Sequence, residues 1–269
     1  MIKGKLVTAV LLVAACLMMI LPGRAQHRNA GAVFNRPVEL KLQATARRLF
    51  KSYDREYPKQ AFYTENFYPV GWSKNGNFAY YVEPVDEACG CYFAKLFILD
   101  LKTDKVLWKF EHDGDSIDED RKAGKPYSFI TLWRANQKLF SDKLREYGIE
   151  PQGRATLLTF PASYGGDMLT ADLKTQERES LDEDARIYGI VGKLTLQLNS
   201  KRSGKKTVLD YSYKQGEALP LYVGTVGYLK SPFEPRIAVI LMEIFRGWEG
   251  PPNTGNVKIS GASLATGFK

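Results

Sequence analysis

The sequence predicts a mainly β fold of the α+β type, in which antiparallel sheets with blade-like meanders pack against one or two helices. Three observations lead to this expectation. Aromatic residues make up 12% of the 269-residue chain, a composition that favours sheets over disorder. Apolar and polar residues alternate in several short segments, which is the pattern of half-buried strands. One longer segment, residues 126–147, instead repeats its apolar residues at helical spacing.

The first 25 residues have the order of a cleavable export signal. Lys3 and Lys5 precede an uncharged apolar run, and the small residues Gly23 and Ala25 occupy the positions that a signal peptidase reads. The run is shorter than the roughly 20 residues of a membrane-spanning helix, and no later run reaches that length. We therefore expect a secreted or periplasmic protein whose formal charge falls from +8 to +5 when Lys3, Lys5 and Arg24 are removed.

Cys16 offers an alternative N-terminus. Residues 13–16 resemble the lipobox of bacterial lipoproteins, in which the cysteine becomes lipidated and anchors the protein to a membrane. Residues 17–21 are apolar, whereas lipoproteins usually continue with a polar linker after the cysteine. An uncleaved N-terminal anchor is the third interpretation of this segment.

The mature chain divides into a short N-terminal part and one larger domain. Residues 26–60 are expected to form a polar leader followed by a helix over 38–57, where Leu42, Ala46 and Tyr53 recur at helical spacing. Pro58 ends that helix. Residues 61–269 are expected to form a single β-rich domain with an inserted helix at 126–148.

Residues 68–110 show the clearest strand pattern. Asn75 and Gly76 form the tip of a turn, and alternating apolar residues over 78–82 predict the strand that follows. A dense apolar strand over 93–100 and a return strand over 106–110 complete a three-stranded antiparallel meander.

Two pieces of this meander resemble β-propeller blades. Residues 72–79 (WSKNGNFA) resemble the opening of a blade in propellers related to the TolB translocation protein, and residues 99–108 resemble the hairpin of quinoprotein-type repeats. A propeller has typically four or more blades, and residues 231–239 are the only other fragment with this pattern. Blade-like meanders without a complete propeller are therefore expected. The signal, the blade-like unit and residues 247–250 together are similar to uncharacterised secreted bacterial proteins, a resemblance that implies no established activity.

The remaining elements follow from local pattern. The helix at 126–147 is opened by Pro126 and ended by Gly148, and its aromatic stripe is expected to pack on a sheet. Loops or irregular structure are expected at 113–125 and 161–184, and the last 24 residues are Gly-rich with few core residues. Strands are expected at 155–160, 188–198, 208–213, 221–229 and 237–245.

Cys89 and Cys91 are the only cysteines of the mature chain. An exported protein meets an oxidising environment, so the pair is expected to lie in a tight loop between two strands, closed by a local disulfide or by none. The alternative role for the pair is redox work or the capture of a soft metal. A structural zinc site needs four ligands, and His27 and His112 are the only histidines. The sequence therefore predicts no metal and no cofactor.

The segment 246–252 is the first candidate for a binding surface. Arg246, Trp248 and Glu249 stand on a scaffold of glycines and prolines directly after a buried strand. A tryptophan beside a carboxylate can bind sugars or peptides by stacking and hydrogen bonds, although Trp248 could instead pack inward as the end of the β core. Trp72 and the Cys89 loop are the next candidates.

The function expected from these features is that of an exported envelope protein, a non-catalytic binding or assembly module. Its partner would be an envelope component, protein or polysaccharide, because the charge is too dilute for nucleic acid. No catalytic motif was found: there is no G-x-S-x-G sequence, and His112 stands alone. The alternative is a hydrolase of envelope polysaccharide that uses two carboxylates roughly 5 to 9.5 Å apart.

Overall fold

A computed structural model describes residues 34–179 and 186–269, so the export signal, Cys16 and His27 lie outside the described residues. The described chain folds into three sheets and five helices. The helices are α1 (Gln43–Leu49), α2 (Lys51–Glu56), α3 (Ile117–Lys122), α4 (Phe129–Ala135) and α5 (Gln137–Glu146). The strands are β1 (Phe62–Thr64), β2 (Asn66–Trp72), β3 (Asn77–Glu83), β4 (Cys91–Asp100), β5 (Lys105–Ser116), β6 (Glu150–Pro151), β7 (Ala162–Tyr164), β8 (Asp167–Glu177), β9 (Val191–Ser200), β10 (Gly204–Ser212), β11 (Tyr222–Lys230), β12 (Arg236–Phe245) and β13 (Asn253–Ser263).

The three sheets differ in their connectivity. The meander sheet has the order β5-β4-β3-β2-β6, and the outer sheet has the order β10-β9-β8-β7. The inner sheet has the order β1-β13-β12-β11, and the pairing of β1 with β13 is its one parallel pairing. The remaining strand pairs of the described chain are antiparallel. The predicted class, mainly β with antiparallel sheets and no complete propeller, is therefore confirmed.

The three sheets are stacked in layers, because the side chains on both faces of their central strands are buried. In β3, Phe78 and Tyr80 pack toward the inner sheet, whereas Tyr81 packs toward α4 and α5. In β12, Ile240 packs toward the meander sheet and Val239 toward the outer sheet. The layers therefore run from α4 and α5 to the meander sheet, the inner sheet and the outer sheet, whereas α1 and α2 pack into the core between the meander and inner sheets. A strand covered on both faces is expected to be apolar at almost every position, which explains the run of six apolar residues over 237–242 in β12.

Both predicted helices are interrupted. The expected helix at 38–57 is shorter and divides at Phe50, whose ψ of 47° leaves the helical region. The expected helix at 126–147 begins only at Phe129, because Ser128 and Thr131 form a capping box, and it divides at Asn136. Pro126 therefore precedes the helix rather than opening it. Gly148 does end it, with a φ of 67°. The predicted aromatic stripe lies in the core as expected: Phe129, Trp133, Phe140 and Leu144 are buried against the meander sheet.

The structure differs from the sequence prediction in four segments. Residues 113–125 continue β5 and then form α3, whose N-cap is Ser116. Residues 161–179 form the hairpin of β7 and β8, whose polar outer positions obscured the alternation of Leu169 and Leu173. The expected strand at 155–160 is reduced to one bridge, between Leu158 and Tyr228. The Gly-rich C-terminal segment contains β13, a central strand of the inner sheet.

None of the helices in the described part of the chain is long and apolar enough to cross a membrane.

Candidate functional site: a groove beside Trp248

The loop 246–252 joins two central strands of the inner sheet. β12 ends at Phe245, and β13 begins at Asn253. Gly247 is required here because a Cβ at this position would overlap the carbonyl oxygens of Gly250 and Pro252. The N–H of Gly250 donates to the carbonyl of Gly247 over 3.0 Å, which closes the turn. The loop is therefore tightly folded on its own backbone.

Asn253 fixes the base of the loop to the N-terminal helices. This side chain is 1% exposed, and its Oδ1 accepts the N–H of Gly247. Its Nδ2 donates to the hydroxyl of Tyr53 over 2.6 Å and to Oε1 of Gln60 over 3.1 Å. Its backbone N–H donates to the carbonyl of Ala61 over 2.7 Å. All of its polar groups that point into the protein are thus hydrogen-bonded, which makes the loop base rigid.

Trp248 projects from this rigid loop into solvent. Its side chain is 80% exposed, the highest value among the large apolar residues of the described chain. Its backbone N–H donates to Oε2 of Glu87 over 2.6 Å. Glu87 lies in the connection between β3 and β4, so this bond joins two loops that are far apart in sequence. The alternative in which Trp248 packs inward is wrong.

A small disulfide loop holds Glu87 in place. Cys89 and Cys91 are bridged, and Gly90 between them has a φ of 63°. The carboxylate of Asp86 accepts the N–H groups of Cys89 and Cys91, each over 3.2 Å. Because these bonds occupy both oxygens of Asp86, that carboxylate serves to shape the loop beside Trp248.

The two loops and the edge strand β1 enclose a groove, which we call the Trp248 groove. Its volume is about 250 Å³. Tyr63, on β1, is 50% exposed and forms a second aromatic wall. The groove is lined by Tyr63, Val85, Asp86, Glu87, Trp248, Glu249, Gly250, Pro251, Pro252, Asn253 and Thr254.

The structure brings together only part of the predicted site. Trp248 and Glu249 line the groove, and of the connection that contains the Cys89 loop only the residues before that loop, 85–87, reach it. Arg246 instead faces a cavity on the other side of the loop, where its guanidinium lies 5.2 Å from the ring centre of Tyr188. Trp72 is 0% exposed and packs in the core between the meander and inner sheets, so its expected role in surface binding is wrong.

Sequence reasoning missed Tyr63 and the contribution of Glu87. Tyr63 reaches the groove because β1 pairs in parallel with β13, and nothing in a three-residue strand reveals such a distant partner. Glu87 contributes through a hydrogen bond to a backbone N–H, which has no sequence signature. The proximity of Glu87 to Cys89 was the one available sign in the sequence that the connection between β3 and β4 is more than an ordinary turn.

The carboxyl groups with raised pKa values lie outside the groove. Burial raises the pKa of Glu65 to about 7, although the N–H of Val257, which donates to its Oε1, opposes that rise. Burial also raises the pKa of Asp104, which accepts hydrogen bonds from Ser260 and Gly261. Neither group lines the Trp248 groove. These acids join structural elements, and the carboxylate-pair alternative gains no support from them.

Comparison with known proteins leaves the site to be interpreted from its own geometry. No protein-family model matches the chain, and no curated protein matches it. Within residues 34–179 and 186–269, no group of three or more His, Cys, Asp or Glu side chains is arranged to hold a metal ion.

Proposed function

We propose that this chain is exported to the cell envelope and binds a polysaccharide there through the Trp248 groove, without catalysis. One observation carries the proposal: the most exposed large apolar side chain of the described protein is a tryptophan held on a rigid loop beside a second exposed aromatic ring. Rigid aromatic side chains supply a large contact area and bind at low entropic cost, because they have few rotatable bonds.

The chemistry of the groove suits a sugar ring. The flat faces of Trp248 and Tyr63 can cover the apolar face of a pyranose, while the carboxylates at the rim accept hydrogen bonds from its hydroxyl groups. A volume of about 250 Å³ limits the direct contact to one or two sugar residues of a longer chain. The export pattern of residues 1–25 and the exposed disulfide are both consistent with an oxidising compartment.

Removal of the Trp248 ring tests the binding site. We expect Trp248→Ala to weaken binding of envelope oligosaccharides roughly 30-fold in isothermal titration calorimetry, as for a central aromatic contact. The hydrogen bond to Glu87 uses the backbone of Trp248 and survives the change. Tyr164→Ala is the matched control, because Tyr164 is 36% exposed and does not line the groove. Equal losses in the two variants, or none in Trp248→Ala, would refute the proposed site.

The same preparations test the absence of catalysis and the location. We expect no new reducing ends after prolonged incubation with the oligosaccharides, and their appearance would favour the hydrolase alternative. The mass of the protein purified from the envelope is expected to match a chain that begins at Gln26. A lipid-sized increment on Cys16 would instead show membrane anchorage.

A further inference from the structure

We infer that the saccharide bound by the Trp248 groove carries free amino groups, as in a de-N-acetylated hexosamine polymer. This inference rests on the proposed function and adds the chemical class of the ligand. The charge of the groove supports it. Three acids, Asp86, Glu87 and Glu249, line the groove, and no lysine or arginine does among the described residues. The chain as a whole is basic, with 38 basic and 30 acidic residues, so the acidic groove opposes the overall balance.

The three acids are not equally available to a ligand. Asp86 is occupied by the N–H groups of the disulfide loop. Glu87 uses Oε2 for Trp248, and no side chain in the described ranges donates to its Oε1. Glu249 is exposed and accepts no hydrogen bond from the described chain. One oxygen of Glu87 and both oxygens of Glu249 therefore remain available among the residues that line the groove.

An ammonium group can interact with both the carboxylates and the aromatic rings of the groove. It donates charge-assisted hydrogen bonds to carboxylates, and it is attracted to the face of an indole ring. A uronic acid or phosphate would meet three carboxylates with no basic partner. A neutral hexose could stack on the rings but would leave the charges of the groove unpaired.

The groove favours a saccharide over a basic peptide. Extended peptides are recognised largely through main-chain hydrogen bonds to a free strand or loop. The groove lining includes Pro251 and Pro252, which have no N–H groups, and Thr254 lies in β13 between two neighbouring strands. The outer edge of β1 is covered by Gln43, whose side-chain amide donates to one carbonyl and accepts one N–H of that strand. The lining therefore offers aromatic faces and carboxylates but no row of free backbone donors.

Two oligosaccharides of equal length test the inference. We expect the full-length mature protein to bind a glucosamine hexamer roughly tenfold more tightly than an N-acetylglucosamine hexamer in calorimetry at pH 6 and low salt. Glu249→Gln and Glu87→Gln should each reduce this preference roughly threefold, because each removes one negative charge that attracts the ammonium group. In Glu87→Gln the amide oxygen of glutamine can still accept the N–H of Trp248, so the loop is expected to keep its position. Glu146→Gln at the end of α5 is the matched control, since Glu146 is exposed and lies near the β2–β3 turn, at the opposite end of β3 from Glu87.

The outcomes separate this inference from the proposed function. Equal affinity for the two hexamers, both lost in Trp248→Ala, would overturn the amino-group inference and leave saccharide binding intact. No binding of either hexamer or of other envelope oligosaccharides would overturn the proposed function. Binding of hexalysine that depends on Trp248 and exceeds binding of the glucosamine hexamer would show a basic peptide to be the ligand, which also overturns the inference.

Discussion

The dipeptide Gly-Trp occurs twice in this protein with opposite outcomes. Trp72 is 0% exposed and Trp248 is 80% exposed, although each follows a glycine that allows close backbone approach. Trp72 ends β2 and packs against Phe78 with 4.6 Å between ring centres, and its Nε1 donates to Gln152 over 2.8 Å. Trp248 follows the end of a strand and contacts the protein through its backbone N–H.

The difference lies in what surrounds each turn. The ring of Trp72 lies between the meander and inner sheets, where apolar side chains cover it. The turn that contains Trp248 lies at the end of a strand of the inner sheet, bordered by an acidic connection and two prolines. The same dipeptide therefore stabilises the interior in one place and leaves an aromatic ring exposed in the other, where we propose a binding surface. Changes in the interior should alter stability, and changes around the groove should alter binding.

The largest expected effect comes from Trp72. Trp72→Ala removes a fully buried ring and leaves Gln152 without its donor, so we expect a loss of about 3–5 kcal/mol in the free energy of unfolding. Urea unfolding followed by circular dichroism measures it. A loss below about 1 kcal/mol would show that Trp72 does not contribute to the packing between the two sheets.

Glu65 provides a pH-dependent test of the interior. Its pKa is raised from 4.5 to about 7 because burial disfavours the charged form. Below pH 4.5 the carboxyl is protonated in both the folded and unfolded protein. Between pH 4.5 and 7 the folded protein binds the proton more tightly, so the contribution of Glu65 to stability falls as the pH rises and is lost above pH 7.

Glu65→Gln should therefore be more stable than the wild type at pH 8, by up to about 3 kcal/mol, with little difference at pH 4. The amide oxygen of glutamine can still accept the N–H of Val257. Urea unfolding of both proteins at the two pH values gives the difference. The same stability gap at both pH values would contradict the assignment of a raised pKa to Glu65.

The disulfide connects stability to the groove. Replacing both Cys89 and Cys91 by serine should cost about 1–2 kcal/mol in the free energy of unfolding, because the bridge closes a very short loop. Oligosaccharide affinity should fall as well, since Asp86 and Glu87 lose the loop that positions them. Calorimetry on the double variant measures this effect, with the single Glu87→Gln variant as reference. Unchanged affinity would show that the groove forms without the bridge.

The sequence predicted those parts of the fold whose evidence is local. The alternation in residues 78–82 and the apolar run of β12 revealed strands, because each pattern reflects the faces that the strand itself buries. β13 was missed because Gly255 and Gly261 fit close contacts with distant parts of the chain, and glycines read locally as loop. The division of the long helix at Asn136 was also missed.

The candidate site shows the same limit. Trp248 and Glu249 were found because an aromatic residue and an acid stood on a rigid local scaffold. Trp72 carried a similar local pattern and belongs to the core, since burial depends on which sheet covers the turn. Tyr63 and Glu87 joined the site only through pairing with residues far away in the sequence.

The smallest change in stability is expected for Trp248, the exposed member of the pair. Trp248→Ala should alter the free energy of unfolding by no more than about 0.5 kcal/mol, because the exposed ring contributes little packing and the bond to Glu87 uses the backbone. Urea unfolding of this variant beside Trp72→Ala makes the test direct. A cost above about 1.5 kcal/mol would mean that Trp248 packs against the protein in solution. A neutral result together with lost saccharide binding would show that this tryptophan serves the ligand and not the fold.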